Sequence, residues 1–235
     1  MQKIKHFIKT HPHMWWGLYL PVYLIMYFTV EHVVTDNYWP TQTVIDDYIP
    51  FCEYFVIPYD SWGILLFILG VFFIVKDPES FRRYMWFIAI AYTTATLFCF
   101  LVPNGQDLRP AELPRQNICT WILQMTWAAD NNANVFPSVH VLGVVAAIAA
   151  MWHSPKLKRV WQITGTVWFV IIAASTLLVK QHAFIDLAAA LVWGAVVYVI
   201  VYVIIGHKRD KMGLRCGAED PGREDGHDHS PDPRI

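Results

Sequence analysis

Charge is what this chain has least of. Only 16% of its 235 residues are Asp, Glu, Lys or Arg, whereas 55% are hydrophobic. A soluble domain of this size carries about 25% charged and about 45–50% apolar residues. The formal net charge of -1 gives no global attraction to nucleic acid, and none is expected as a partner. Cysteine is sparse as well. Cys52, Cys99, Cys119 and Cys216 form no CxxC pair and no metal-ligand spacing. They read as plain thiols, with a Cys52–Cys119 disulfide as the alternative. There is no internal repeat, and no small-residue cleavage site follows the first apolar stretch, which therefore reads as a retained span and not as a removable signal.

What is abundant is apolar length. Mean hydropathy is +0.34, and the chain holds 11 Trp, 11 Tyr and 14 Phe. Six stretches approach the roughly 20 residues that cross about 30 Å of hydrocarbon: 14–30, 55–75, 84–102, 138–152, 160–179 and 183–206. The expected fold class is all-α, a polytopic membrane protein of six transmembrane helices in one domain, 1–206. The fourth stretch is short and starts on polar residues, so it is expected to face the protein interior. After Gly206 the composition turns charged and rich in Gly and Pro, and 207–235 reads as a disordered polar cytoplasmic tail.

The cations set the orientation. All but three of the 18 Lys and Arg fall before the first stretch, between the second and third, between the fourth and fifth, or after the sixth. With six alternating helices these loops share one side, the cytoplasmic one. The exceptions on the opposite side are Arg109, Arg115 and Lys180. They have polar company there: Ser138 and His140 in "NVFPSVHV", and His182 and Asp186 in "KQHAFID".

That set suits phosphoryl transfer. Arg109 offers a planar, bidentate donor to phosphate oxygens. Ser138, the backbone N–H of Val139 and the start of the fourth helix favour an anion. His182 and Asp186, four residues apart, would share a helix face and hydrogen-bond. The carboxylate would then fix the tautomer of an attacking imidazole, and His140 would protonate the leaving oxygen. Lys180 would add a phosphate contact from the turn. Ionisable residues in a membrane chain point to function. Others read as structural: His153 and His32, a turn at Asp130-Asn131-Asn132, and Glu112 paired with Arg115, the latter alternatively assisting phosphate. Pro137 starts a helix whose first turn presents polar groups to an anion.

The pattern resembles the type 2 phosphatidic acid phosphatase superfamily, which also includes vanadium haloperoxidases, sphingomyelin synthases and inositol phosphorylceramide synthases. Its motifs are Lys-x6-Arg-Pro, Pro-Ser-Gly-His and Ser-Arg-x5-His-x3-Asp. Here the second reads Pro137-Ser138-Val139-His140, the third keeps His182 and Asp186, and the first keeps Arg109-Pro110. Val102 stands where the family has its lysine, Val139 where it has glycine, and Ser175-Thr176 where it has Ser-Arg. The "PSxHV" and "KQHxxxD" wording is closer to the inositol phosphorylceramide synthase branch.

The resemblance implies a six-helix core with its site at the membrane face. His182 would be the nucleophile, Asp186 its orienting partner, His140 the general acid, and Arg109 and Ser138 phosphate ligands. The expected function is hydrolysis of a lipid mono- or diphosphate, without cofactor or metal, in the cell membrane, with the site on the non-cytoplasmic face. The partners would be that substrate and the surrounding membrane lipids. Two other readings stay open: a lipid phosphotransferase using an alcohol or ceramide-like acceptor, and a non-catalytic membrane protein on the same fold.

Overall fold

Long apolar runs fold here as helices whose ends carry the caps that their sequences provide. The computed structural model describes residues 2–33 and 38–206; the expected tail, 207–235, lies outside the described residues. In chain order the helices are α1 (Gln2–Thr10), α2 (Tyr19–Val33), α3 (Val44–Asp47), α4 (Val56–Lys76), α5 (Pro78–Leu101), α6 (Ile118–Ala129), α7 (Val139–His153), α8 (Arg159–Leu178) and α9 (Phe184–Tyr198). A 3-10 turn at Pro12–Leu18 leads into α2, and a π-helical stretch at Val199–Ile205 extends α9. At the start of α5, Asp77 accepts from the Ser80 N–H, and Pro78 occupies the first turn, where a missing N–H costs nothing.

Four helical segments are long and apolar enough to cross a membrane: Glu53–Lys76, Pro78–Leu101, Arg159–Leu178 and Phe184–Ile205. This marks an integral membrane protein. The other two expected spans are short as helices, for different reasons. The first breaks at Tyr19, where the 3-10 turn ends and α2 runs for 15 residues. The fourth, α7, also has 15 residues.

α7 is the hub. It packs against α4, α5, α8 and α9, and Val141, Leu142, Ala146, Ala147 and Ala150 are wholly buried. Small side chains let neighbouring backbones approach closely, which is how helices associate when lipid removes the hydrophobic drive. Gly143 shows the constraint: a Cβ there would lie 2.8 Å from the Trp62 indole nitrogen. A helix enclosed in this way need not reach lipid on either side.

The bundle has two unlike ends. At one, the α4–α5 turn meets the α7–α8 turn through Ser154 Oγ, which donates to Asp77 Oδ2 at 2.6 Å; Lys76, Arg82, Arg83, Lys156, Lys158 and Arg159 border these turns. At the other, a two-residue parallel pair, β1 (Trp39–Pro40) with β2 (Asn104–Gly105), ties the chain after α2 to the chain after α5. Gly105 is needed there, since a Cβ would sit 2.7 Å from the Tyr38 ring and 2.9 Å from the Asn132 carbonyl oxygen. This second end carries Arg109, Arg115, Lys180 and both site histidines.

Candidate active site

Two helix N-termini build the site. Ser138 caps α7: its Oγ accepts from the Val141 N–H at 3.4 Å, and its own N–H donates to the Asp186 carbonyl at 3.2 Å. The first turn of a helix leaves N–H groups without intrahelical partners, and Val139 and His140 are its first two residues. The Phe136–Pro137 peptide is cis. α4 holds His140 in place. Tyr59 stacks on the imidazole with centroids 4.6 Å apart, Trp62 lies against it at 4.3 Å, and the Trp62 indole donates to the His140 carbonyl at 3.0 Å.

The second N-terminus is that of α9. Lys180 takes a left-handed φ of 56°, which turns the chain so that the N–H groups of Gln181 and His182 both donate to the Thr176 carbonyl at 3.1 Å. Ala183 is the N-cap, and Asp186 at the third helical position accepts the Ala183 N–H at 2.7 Å. His182 therefore precedes the helix, and its approach to Asp186 comes from the cap and not from a shared helix face. The His182 Nδ1 to Asp186 Oδ2 distance is 3.6 Å, an ion-pair approach longer than a hydrogen bond. Catalytic hydrogen bonds are commonly long before ligand binds. His182 Nε2 faces His140 Nδ1 at 3.4 Å, with the rings inclined at 63°. His182 is 5% exposed, and Ser138 and Asp186 are fully buried.

Arg109 joins the group through Gln181. Its Nη2 donates to Gln181 Oε1 at 2.8 Å and to the Asp130 carbonyl at 2.7 Å, and its Nη1 donates to the Trp127 carbonyl at 3.2 Å. Its Nε, also buried, has no hydrogen-bond partner among the described residues. Burial pulls the guanidinium pKa down, and the nearby Asp130 carboxylate counters this; an arginine stays protonated throughout.

Lys180 is placed differently from expectation. Its Nζ donates to the carbonyls of Asp46 and Ile49 at 3.1 and 2.6 Å, closing the C-terminal end of α3, so the amine is occupied there. Burial lowers its pKa, against the pull of Asp46 and Asp47. Arg115 does not pair with Glu112. It binds the fully buried Glu53 in a fork, Nε to Oε1 at 2.5 Å and Nη2 to Oε2 at 2.8 Å, and Glu53 holds the guanidinium pKa above its usual value. The disulfide alternative is not realised, since Cys52 and Cys119 are both free. Asp130 caps the C-terminus of α6, and its carboxylate accepts from Tyr27, Tyr59 and Gln181.

Four site residues escaped sequence reasoning: Tyr59, Trp62, Asp130 and Gln181. Tyr59 and Trp62 are three apart in "YDSW", a spacing that shares a helix face, and Gln181 is the immediate neighbour of His182.

Two apolar cavities lie close by. One of about 420 Å³ between α2, α4 and α5 is lined by Tyr23, Trp62, Leu66, Met85 and Tyr92 among others. One of about 320 Å³ between α5 and α9 is lined by Thr94, Phe98, Phe136, Pro137, Ala189 and Trp193. Among the described residues no three His, Cys, Asp or Glu side chains gather as metal ligands. Comparison with protein-family profiles, with curated proteins and with solved structures finds no match for the chain.

Proposed function

We propose that this chain is an integral-membrane lipid phosphatase that hydrolyses a lipid mono- or diphosphate through a phosphohistidine on His182. One observation carries the reading: a buried imidazole whose Nε2 meets a second imidazole and whose Nδ1 meets a carboxylate, with a guanidinium bound to the neighbouring Gln181 whose buried Nε–H has no partner among the described residues. A phosphate oxygen is the acceptor that N–H lacks.

In this reading the protein crosses the membrane six times. Residues 12–33 supply one crossing, because the 3-10 turn and α2 together rise roughly 36 Å, and α7 supplies another inside the bundle. The end rich in Lys and Arg is cytoplasmic, which puts the histidines on the non-cytoplasmic face of the cell membrane. The cavity beside Trp62 suits an acyl or prenyl chain.

The chemistry follows from the geometry. With its proton on Nδ1 towards Asp186, His182 has a lone pair on Nε2 for attack on phosphorus. As the P–N bond forms, the bond to the lipid oxygen breaks, and His140 gives that oxygen a proton. Water then attacks the phosphohistidine, His140 takes its proton, and phosphate leaves as the P–N bond breaks. Arg109 and the α7 N-terminus hold the phosphoryl oxygens. A separation of 3.4 Å between the imidazoles leaves no room for phosphorus, so they must part when substrate enters.

The second cavity, at Pro137, favours the transferase alternative, in which a lipid alcohol replaces water. Phosphate release by the purified protein, measured over a panel of lipid phosphates with and without alcohol acceptors, tests both. Release without an acceptor supports the phosphatase, and acceptor-dependent transfer supports the transferase. Neither with any substrate would leave a non-catalytic protein.

A further inference from the structure

Gln181 is 1% exposed and lies between two opposite charges. Its Oε1 accepts from Arg109 Nη2 at 2.8 Å, while its Nε2 donates to Asp130 Oδ2 at 2.8 Å and to the carbonyls of Asp130 and Asn131 at 3.2 Å each. One amide thus satisfies the guanidinium on one side and the carboxylate on the other. The arrangement has a consequence for the phosphate-binding reading, on which this inference rests. A free carboxylate beside a half-buried guanidinium would pair with it in a fork and occupy the donors that an oxyanion needs.

The Gln181 main chain is held as firmly as its side chain. Its N–H donates to Thr176, and its carbonyl accepts from the wholly buried Gln106 at 3.3 Å. Asp130 is further restrained by Tyr27 at 2.9 Å and by Tyr59 at 3.4 Å. Tyr59 is also the ring stacked on His140. A continuous set of contacts therefore runs from Arg109 through Gln181, Asp130 and Tyr59 to His140.

We propose that Gln181 is a positioning residue that keeps the Asp130 carboxylate off Arg109, so that the buried Arg109 Nε–H stays available to a ligand oxyanion. The role is specific to an amide. A glutamate at this position would itself pair with Arg109 and repel Asp130, and an aliphatic side chain would leave Asp130 Oδ2 with only the 3.4 Å contact from Tyr59 to hold it against the pull of Arg109.

The test uses the full-length protein in detergent and orthovanadate as the oxyanion, with binding read by calorimetry. Wild type should bind vanadate, and Arg109→Ala should abolish binding. Gln181→Leu should weaken it roughly tenfold, the scale of a lost charge-assisted hydrogen bond. The double variant Gln181→Leu/Asp130→Asn should recover most of that loss, because the competing charge is gone. A residue that merely supports the fold would give the opposite, a double variant weaker than the single. Vanadate binding that Gln181→Leu leaves unchanged, or that the double variant fails to restore, overturns the role of Gln181 alone. No vanadate binding by wild type overturns the oxyanion reading and this inference with it.

Discussion

His182 and His140 meet edge to face, Nε2 to Nδ1 at 3.4 Å, although 42 residues separate them in the chain. The two rings differ in their surroundings: of the pair, only His182 has a carboxylate behind it. His140 has aromatic rings behind it instead. If His140 protonates the departing oxygen, His140→Ala should slow hydrolysis most for alkyl phosphates and least for substrates with acidic leaving groups such as nitrophenol. The slope of log kcat/KM against leaving-group pKa, steeper in the variant, is the measurement.

Asp186→Asn separates orientation from folding. The amide oxygen can still accept the Ala183 N–H at the start of α9, so the cap survives. What is lost is the charge facing His182 Nδ1. Turnover should fall by about 10⁴-fold with substrate binding nearly intact, as when the triad carboxylate of a serine protease becomes an amide. Single-turnover kinetics would read this as a fall in kcat at near-constant Kd.

The two loop arginines should behave differently. Arg109→Ala is expected to raise KM and lower kcat together, since a phosphate ligand acts in both ground and transition states. Arg115→Ala strips the cationic partner from the buried Glu53 carboxylate and leaves it, of its side-chain partners, only the Asn117 amide, so it should lower thermal stability in detergent and leave KM unchanged. A raised KM in the Arg115 variant would return that residue to the site.

At the opposite end, Asp77 joins two turns. Burial alone would raise its carboxyl pKa, but the Ser154 and Ser80 hydroxyls and the Ser80 N–H outweigh it and hold the pKa below the usual value. A lowered native pKa means stability that is present in full above about pH 4 and lost as pH falls through the native value. Asp77→Ala should cost about 1 kcal/mol or somewhat more at neutral pH, and the difference from wild type should shrink as the buffer is acidified. Unfolding midpoints in detergent across that range check the sign.

The apolar interiors of the long helices are legible because hydropathy is local, and the Pro137-Ser138 start of α7 can be read from a few neighbouring letters. The reading of 84–102 for the third span misses the Asp77-Pro78 start of α5, because its first turns carry Glu79, Arg82 and Arg83. Among the described residues, Lys76, Arg82, Arg83, Lys156, Lys158 and Arg159 border the turns at one bundle end, and Arg109, Arg115 and Lys180 lie at the other. Side-chain partners were not legible. Lys180 is expected to add a phosphate contact from the turn, yet its Nζ donates to carbonyls more than 130 residues away. Arg115 is expected to pair with the nearby Glu112, whereas its partner Glu53 lies on another element. Nothing in the sequence marks Gln181, because an amide carries no charge and no recognised reactivity. Its role depends on Arg109 and Asp130, which only the folded chain brings to either side of it.

The most direct test of the mechanism is rapid-quench capture of the covalent intermediate with a radiolabelled lipid phosphate. Wild-type protein should yield an acid-labile, base-stable phosphoprotein mapping to His182 within one turnover, and His182→Ala should yield neither label nor turnover. A His182→Ala protein that turns over at the wild-type rate, or label on any other residue, would contradict it.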